Sequence, residues 1–305
     1  MIINGVEVEE TFAEAFPMYA TRILITAVNE KWALTAAQVA TGFATSIIAA
    51  PAEAGVEGLV PPDETPDGRP GALIQIYHRS IPELKFQVLS RIGQCVLTCP
   101  TTAVFNGLPK AKRFITVGGP LSKFGDGFEV KDEIYGKTMW RIPVMEGEFL
   151  IEDKIGIVKA VAGGNLLILA ESQSAGLEAA EKAIEAIKNS VKGVVMPFPG
   201  GIVRSGSKVG SLKYPKLIAT TNHLFCPTLK DKVADTKVPP DVNSVYEIVI
   251  NGLDAKRVLR AMGVAILAAA SVKGVKKITA ANYGGKLGKY KLYTTEAVNL
   301  VKSEQ

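Results

Sequence analysis

Leu24-Ile25-Thr26-Ala27 and then Leu34-Thr35-Ala36-Ala37 recur with identical spacing as Leu167-Ile168-Leu169-Ala170 and Leu177-Glu178-Ala179-Ala180. Three further pairs of segments agree in the same order along the two halves of the chain. They are residues 51–56 with 197–202, residues 74–80 with 248–254, and residues 118–124 with 284–290. Four matches in one order indicate an internal duplication, so we expect each half to fold as the same supersecondary unit.

The two halves also share a succession of hydrophobic patterns. We expect strand, helix, strand, strand, helix and strand at residues 22–28, 31–40, 45–50, 72–78, 81–98 and 113–117 in the first half. The same order is expected at residues 165–171, 175–188, 194–198, 245–251, 255–271 and 276–282 in the second. Ser80 and Asp254 are N-cap candidates for the second helix of each half. This order predicts an α+β fold of two duplicated ferredoxin-like (split βαβ) lobes, with antiparallel sheets and helices on one face.

Segments outside the repeat set the predicted domain organisation. We expect an N-terminal lobe over residues 1–147 and a C-terminal lobe over residues 148–305. Residues 124–160 alternate and carry Gly-containing turn signals, which predicts β-hairpins that join the lobes. The C-terminal lobe has an insertion at about residues 200–243, and the first half has a Pro-rich loop at residues 61–71. Loops of this length inside compact domains are usually functional.

Composition excludes several classes of protein. A hydrophobic content of 47% supports real cores, and three cysteines and two histidines argue against a disulfide framework and a zinc site. The net charge of +5 is spread without a dense basic block, which favours acidic small molecules and argues against nucleic acid as a partner. Residues 1–10 lack an apolar leader, and the apolar run at residues 261–270 is too short to span a bilayer. We therefore expect a soluble cytoplasmic protein with no membrane partner.

One charged residue interrupts an apolar strand pattern. In residues 244–253, Val245, Glu247 and Val249 share one face, because successive side chains on a strand point to opposite sides. A carboxylate among valines must reach solvent, find a partner or stay protonated with a raised pKa. Two interpretations remain open from the pattern: a solvent-facing residue that discourages edge pairing, or an acid that lines a cleft.

Adjacent glycines at strand ends form a second group of candidates. Gly163-Gly164, Gly200-Gly201 and Gly284-Gly285 either form tight turns or present backbone amides to the oxygens of a ligand. Polar residues beside glycines and in the Pro-rich loop are further binding candidates, or else solvated loop side chains. They are Thr65, Asp67, Arg69, Ser205, Ser207, Lys208, Asn282 and Lys286.

Established catalytic and cofactor motifs do not occur in the chain. Residues 201–208 are not a phosphate-binding loop, because Ser207 separates Lys208 from the second glycine of the pattern, Gly206. The chain has no GxGxxG at a strand-to-helix turn and no GxSxG. Cys226 near His223 is a weak candidate for covalent catalysis, and Cys95 and Cys99 fit an apolar helix core.

Several strings together resemble one family, the formylmethanofuran:tetrahydromethanopterin formyltransferases, and the resemblance runs from Asn4 to about Tyr290. The strings that carry it are residues 51–55, 64–71, 91–95, 198–203, 246–253 and 282–288. The resemblance implies two ferredoxin-like lobes and transfer of a formyl group from the amine of methanofuran to a ring nitrogen of tetrahydromethanopterin, in archaeal one-carbon metabolism. It implies no metal or prosthetic group, with the two coenzymes acting as substrates, and a homo-oligomer, typically a tetramer.

Carried over by position, Glu247 matches the catalytic-site glutamate of the family. A formamide is a poor electrophile, so an enzyme must polarise its carbonyl and later return a proton to the departing amine. We therefore expect Glu247 to act as a protonated acid during direct amine attack, with substrate contacts from Arg69, Gly200, Gly201, Ser205, Ser207, Lys208, Asn282 and Lys286. Backbone amides of the glycine turns are expected to supply a second hydrogen bond to the carbonyl oxygen.

The chain also departs from the family pattern. Arg204 follows Gly-Gly-Ile-Val where a small residue is usual, Ala281 precedes Asn282 where glycine is usual, and the tail over residues 294–305 is longer. These changes put local substrate contacts in doubt. Two alternatives stay open: a subunit of a formyltransferase/hydrolase complex that runs the reverse transfer to release formate, and a non-catalytic scaffold that binds coenzyme.

Overall fold

The computed structural model describes residues 1–304, which form two compact units. We call residues 18–160 the N-terminal lobe, and residues 1–17 together with the chain from Val161 onward the C-terminal lobe. The predicted division into residues 1–147 and 148–305 treats each lobe as continuous. In the structure the first 17 residues belong to the C-terminal lobe, because their strands pair with strands near the end of the chain.

The strands differ widely in length, from two to seventeen residues. In chain order they are β1 (Ile2–Ile3), β2 (Val6–Val8), β3 (Phe12–Thr26), β4 (Glu53–Val60), β5 (Gly71–His78), β6 (Ala103–Asn106), β7 (Arg113–Thr116), β8 (Val130–Ile134), β9 (Lys137–Val144), β10 (Gly147–Glu152), β11 (Lys154–Ala170), β12 (Val194–Val195), β13 (Lys208–Val209), β14 (Ala219–Thr220), β15 (Ser244–Gly252), β16 (Val275–Thr279) and β17 (Tyr290–Tyr293).

The helices include five amphipathic segments of 10 to 18 residues and one short helix of 5 residues. They are α1 (Glu30–Thr41), α2 (Ile81–Arg91), α3 (Gly118–Ser122), α4 (Gln173–Ser190), α5 (Ala255–Ala269) and α6 (Thr294–Ser303). A π-helical turn at Ile92–Val96 follows α2, and the remaining helical turns are short 3₁₀ segments. Within residues 1–304 no helix combines the length and the apolarity needed to cross a membrane.

The N-terminal lobe contains the predicted split βαβ motif. Its sheet has the strand order β4-β5-β3-β6, and every neighbouring pair is antiparallel. Helix α1 begins after Asn29, whose side-chain oxygen accepts a hydrogen bond from the Trp32 amide and so satisfies one free amide of the first turn. The buried alanines of α1 and the leucine and valine of α2 pack on this sheet in one hydrophobic core. The predicted fold class is confirmed for this lobe.

One predicted strand of the N-terminal lobe is wrong, and a second is a strand that lies outside the predicted motif. Residues 45–50 form turns in which the Ser46 carbonyl accepts hydrogen bonds from the Ala49 and Ala50 amides, so the second strand is β4 instead. Residues 113–117 were predicted as the fourth strand, but β7 pairs with residues 154–157 of β11. The fourth strand is β6, which pairs with β3 and is buried on both faces, so it lacks the alternation that would have revealed it.

The C-terminal lobe repeats the motif with the strand order β16-β11-β15-β12, again antiparallel throughout. Helices α4 and α5 begin after Ser172 and Asp254, whose side chains accept hydrogen bonds from the Ala175 and Arg257 amides. The two helices cover one face of this sheet in a large core. Helix α6, which forms most of the long tail, packs closely on α5, where a Cβ at Gly263 would collide with the Ala297 carbonyl.

Segments beyond the two motifs extend the sheets. In the N-terminal lobe, β8, β9 and β10 form antiparallel hairpins where hairpins were predicted, and β10 pairs in parallel with β6. That these hairpins join the lobes stays a prediction. In the C-terminal lobe, β2 pairs in parallel with β16, and β17 pairs with residues 12–15 of β3. The predicted strand at residues 194–198 is reduced to the two residues of β12. Beyond it the chain loops through Pro199–Gly201 before it pairs with β15 again.

Candidate active site

The insertion of the C-terminal lobe covers the face of β15 that α4 and α5 leave free. Ile248 and Ile250 point into the helix-covered core, whereas Leu167 of the neighbouring strand β11 packs with Val238 and Val242 of the insertion. A cavity of about 520 Å³ lies on this side. Its walls are Leu167, Gln173, Val203, Arg204, Ser205, Gly206, Asn222, Phe225, Cys226, Pro227, Thr228, Asn243, Ser244, Val245, Tyr246 and Glu247.

Glu247 is held by backbone pairing on both sides of its strand. It lies opposite Leu167 of β11 in the antiparallel register. On its other side, the Val203 amide donates to the Glu247 carbonyl at 2.8 Å, and the Glu247 amide donates to the Val203 carbonyl at 3.0 Å. The side chain at position 247 therefore leaves a backbone that is fixed before any ligand arrives, which is the requirement for a preorganised catalytic group.

The carboxyl group of Glu247 is half-buried and makes no hydrogen bond or ion pair with any residue from 1 to 304. Burial raises the pKa of this carboxyl from its ordinary value of 4.5 to about 7. No cation among residues 1–304 offsets this effect, so the raised pKa comes from desolvation of the charged form. At neutral pH the acid is about half protonated, whereas a Glu with the ordinary pKa would be protonated at well under about 1%.

A second glutamate organises the loop that follows β16. The carboxylate of Glu14, which is buried, accepts four backbone hydrogen bonds: from Tyr283 and Gly285 at 2.7 and 2.9 Å, and from Leu287 and Gly288 at 2.5 Å each. Burial alone would raise the pKa of Glu14, but these hydrogen bonds outweigh it and hold the pKa below its ordinary value. Glu14 therefore stays charged and fixes the loop from Tyr283 to Gly288, which we call the Glu14 loop.

The Glu14 loop places Tyr283 near Glu247, the acid whose pKa is raised. Burial raises the pKa of the Tyr283 hydroxyl, and the charges of Glu247 and then Glu14 raise it further. The phenol thus remains a neutral hydrogen-bond donor at physiological pH. Asn165 fixes the chain just before this loop, since its side chain accepts a hydrogen bond from the Ala281 amide at 2.6 Å and donates one to the Ala281 carbonyl at 3.0 Å.

Models of one family match both halves of the chain. The model described as formylmethanofuran-tetrahydromethanopterin formyltransferase matches residues 1–144, and the model described as FTR, proximal lobe, matches residues 147–297. The chain belongs to this family. The resemblance drawn from the sequence strings is therefore confirmed, and the two matched segments correspond to the two halves of the duplication.

Relatives named as this formyltransferase agree over nearly the whole chain. The protein of Methanocaldococcus jannaschii is 58% identical over 97% of this chain and 99% of its own length. That of Methanosarcina barkeri is 56% identical over 95% of this chain and 97% of its own length. A solved formyltransferase structure from Methanosarcina barkeri has a TM-score of 0.95 at 55% identity, with 97% of this chain and 100% of that chain covered.

A second solved structure places a similar chain in an assembly. It is the formyltransferase/hydrolase complex from Methylorubrum extorquens with methylofuran, and one of its chains matches with a TM-score of 0.93 at 46% identity. The match covers 98% of this chain and 98% of that chain. Chains with this fold therefore occur both in a formyltransferase structure and in a formyltransferase/hydrolase complex.

Only some of the predicted site residues lie together around the Glu247 cavity of this member of the formyltransferase family. Ser205 lies in the cavity wall with Glu247. Lys208 lies on β13, where its ammonium donates to the Thr220 hydroxyl at 2.6 Å, and Ser207 beside it is exposed. Neither Ser207 nor Lys208 belongs to the wall of the Glu247 cavity in the described part of the chain. Their predicted role in substrate binding stays a prediction.

Three of the glycine amides donate hydrogen bonds within the protein. The Gly201 amide donates to the Phe198 carbonyl at 2.8 Å within a turn, and Gly200 beside it is exposed. The Gly284 amide donates to the Asn282 side chain at 3.1 Å, and the Gly285 amide to Glu14 at 2.9 Å. Internal acceptors thus occupy the amides of Gly201, Gly284 and Gly285 in this structure. Contacts of Gly200 and Gly201 with substrate stay predictions.

The remaining predicted binding residues lie elsewhere. The Asn282 side chain donates to the Thr11 hydroxyl and the Phe12 carbonyl, and Lys286 is an exposed residue of the Glu14 loop. Arg69 belongs to the N-terminal lobe, where its guanidinium donates to Asp67 at 2.9 Å and to the Thr101 carbonyl at 2.5 Å. It lines a separate cavity of about 300 Å³ in that lobe. Contacts of Asn282, Lys286 and Arg69 with substrate stay predictions.

Sequence reasoning missed the wall that the insertion supplies. The cavity is lined by Asn222, Phe225, Cys226 and Thr228 of the insertion. This stretch has no hydrophobic periodicity from which the direction of its side chains could be predicted. The one available signal was the length of the insertion itself. The Cys226 thiol contacts the Asn222 carbonyl and the Thr221 hydroxyl, each at 3.4 Å, so its contacts do not form the Cys–His pair that covalent catalysis would require. Among residues 1–304 no group of three His, Cys, Asp or Glu side chains is arranged to hold a metal ion.

Proposed function

We propose that this protein transfers a formyl group between formylmethanofuran and tetrahydromethanopterin in the cavity that contains Glu247. Relatives with this name are 58% and 56% identical over nearly their full length, which supports the choice of reaction. The observation that carries the proposal is a half-buried acid, without a partner in residues 1–304, whose pKa is raised to about 7 in the wall of a cavity of about 520 Å³. A carboxyl group in that state can donate a proton at neutral pH.

In the proposed mechanism, the protonated Glu247 donates a hydrogen bond to the oxygen of the formamide carbonyl. The amine of tetrahydromethanopterin then attacks the carbonyl carbon, and a new C–N bond forms as the oxygen gains negative charge. Collapse of this tetrahedral intermediate breaks the C–N bond to methanofuran. The attacking amine loses one proton and the departing methanofuran amine gains one, so the reaction balances without a covalent enzyme intermediate.

Placement of the two substrates supplies much of the rate in this proposal. The backbone of Glu247 is fixed by Leu167 and Val203, and apolar side chains such as Phe225 and Val245 line the cavity beside it, so that a bound substrate would displace water from the acid. Exclusion of water strengthens the hydrogen bond from the acid to the developing oxyanion. Tyr283 is a candidate for the second donor to that oxygen, in place of the glycine amides, which have internal acceptors.

The two coenzymes act as substrates, and we propose that the enzyme needs no metal or prosthetic group. We also propose a homotetramer. The principal alternative is that the protein works as one subunit of a larger formyltransferase/hydrolase complex and runs the reverse transfer. The match to a chain of such a complex at 46% identity favours this second candidate. Full transfer activity of the purified protein alone would exclude it.

The test of the mechanism is the Glu247→Gln substitution, which keeps the shape of the side chain and removes its acidic proton. We expect kcat to fall on the order of 10²- to 10³-fold, while the affinity for either coenzyme stays nearly unchanged. Formyl transfer is followed spectroscopically with both coenzymes. Glu185→Gln on the exposed surface of α4 is the matched control. Unchanged turnover of the Glu247 variant would show that the acid has no catalytic role, and normal coenzyme binding with no turnover in the wild type would favour the scaffold alternative.

A further inference from the structure

Arg204 is a cation without a partner in the wall of the Glu247 cavity. Its side chain is exposed, and within residues 1–304 it forms no hydrogen bond and no ion pair. Other arginines of the same lobe are engaged: Arg257 pairs with Asp254, and Arg260 pairs with Glu304. The guanidinium of Arg204 is therefore free to bind an anion that enters the cavity.

The backbone ties Arg204 to the position of Glu247. Val203, the preceding residue, is the antiparallel partner of Glu247 through two hydrogen bonds of 2.8 and 3.0 Å. Ser205 and Gly206, the next two residues, also line the cavity. Arg204 thus lies in a bend directly after a residue whose backbone is paired with Glu247, at one side of the cavity.

Arg204 forms no ion pair or hydrogen bond with Glu247 in the described residues 1–304. The pKa of Glu247 is raised by burial, and no nearby cation lowers it. A guanidinium in contact with that carboxyl would favour its charged form and lower its pKa. Arg204 and Glu247 therefore line the same cavity without contacting each other. A ligand bound there can contact the acid with one group and the cation with another.

The rest of the cavity wall is neutral. Apart from Glu247 and Arg204, it consists of apolar side chains and of uncharged polar groups such as Gln173, Asn222 and Asn243. An unpaired guanidinium in such surroundings selects for negative charge, because its planar fork matches the oxygens of a carboxylate or phosphate. The positive net charge of the chain adds a weak attraction of the same sign.

We propose that Arg204 binds an anionic group, a carboxylate or a phosphate, on the coenzyme that occupies the Glu247 cavity, and so determines specificity for coenzymes with an acidic tail. The inference rests on the proposed formyl transfer and adds the chemistry of the bound tail. It makes Arg204 a binding residue for a part of the substrate remote from the transferred group. Its removal should therefore weaken binding and leave the chemical step unchanged.

The experiment compares Arg204→Ala, Arg204→Lys and the wild type in steady-state formyl transfer, with the KM of each coenzyme measured separately. Lys216→Ala is the matched control, since Lys216 is an exposed cation of the same insertion that lies outside the cavity wall. For Arg204→Ala we expect the KM of one coenzyme to rise about 5- to 30-fold, with kcat within about twofold of wild type. Arg204→Lys should lie between the two, because it keeps the charge and loses the fork.

Salt provides a second readout that a structural role would not change. The wild-type KM of the affected coenzyme should rise with ionic strength, and this dependence should be weaker in Arg204→Ala. Whether formylmethanofuran or tetrahydromethanopterin is affected identifies the source of the anion. An unchanged KM for both coenzymes, or an equal rise for both together with a fall in kcat, would overturn the proposal for Arg204. Absence of transfer in the wild type would instead refute the proposed function.

Discussion

The raised pKa of Glu247 makes the stability of the protein depend on pH in a way that Glu247→Gln should remove. In an unfolded chain this carboxyl titrates at its ordinary value of 4.5, and in the folded protein it titrates at about 7. Between these values the folded state binds more protons than the unfolded state. Stability therefore falls as pH rises through this window, and above pH 7 the folded protein carries the full cost of a desolvated charge.

The size of the effect follows from the two pKa values. Their difference corresponds to at most about 3 kcal/mol of unfolding free energy. The carboxyl keeps some access to solvent through the cavity, so we expect about 1 to 3 kcal/mol. Glutamine does not titrate, and it fits the same volume. Between pH 4 and pH 8.5, the free energy of unfolding of Glu247→Gln should therefore rise by this amount relative to that of the wild type.

The assay is urea unfolding of the wild type, Glu247→Gln and Glu185→Gln at a series of pH values from 4 to 8.5. The difference between wild type and Glu247→Gln is the informative quantity, because every other titrating group cancels. We expect that difference to grow through the window and then to level off above about pH 7.5, while the Glu185 control stays parallel to wild type. A difference that does not change with pH would refute the claim that Glu247 is desolvated.

Two further changes test how the lobe around the site is built. Glu14→Gln should lower the free energy of unfolding by about 2 to 5 kcal/mol and speed amide exchange over the Glu14 loop. All four backbone donors lose a charged acceptor, and two of them then face the NH2 group of glutamine. Exposed Glu10→Gln is the control, and slow exchange in the Glu14 variant would contradict this role. Asp254→Ala should cost about 1 kcal/mol because its side chain caps α5, whereas Ser80→Ala should cost little, since the Ser80 side chain makes no capping bond on α2; equal losses in urea unfolding would contradict the difference.

Helices and strands could be predicted from the sequence where one of their faces is buried and the other is exposed. The match between residues 24–37 and 167–180 is structurally sound, since Leu24 and Leu167 occupy equivalent places opposite Leu73 and Glu247. Strand β6 was missed because all four of its residues are buried, so it shows no alternation.

The match between residues 118–124 and 284–290 is a similarity of sequence and not of structure. Gly118 begins the short helix α3, whereas Gly284 and Gly285 have positive φ angles of 68° and 73° in a turn. The local sequence does not distinguish these outcomes, because the turn at Gly284 and Gly285 depends on Glu14, about 270 residues away in the chain. Contacts of such sequence separation are set by tertiary structure and not by local propensity.

The site was predictable to the extent that one strand defines it. Glu247 was found because alternation placed a carboxyl between Val245 and Val249 on one face. The sequence did not predict that Arg204 and the polar groups of the insertion line the cavity. In an aperiodic loop the positions of the side chains depend on tertiary contacts, such as the pairing of Val203 with Glu247.

The most direct test of the central claim is the pH dependence of a single turnover, measured for the wild type and for Glu247→Gln with both coenzymes bound. If protonated Glu247 polarises the formamide, the wild-type rate should be constant at low pH and fall about tenfold per pH unit above about pH 7. The variant should be slow at every pH and show no such break. A variant that matches the wild-type rate throughout, or a wild-type rate without a break near pH 7, would contradict the account.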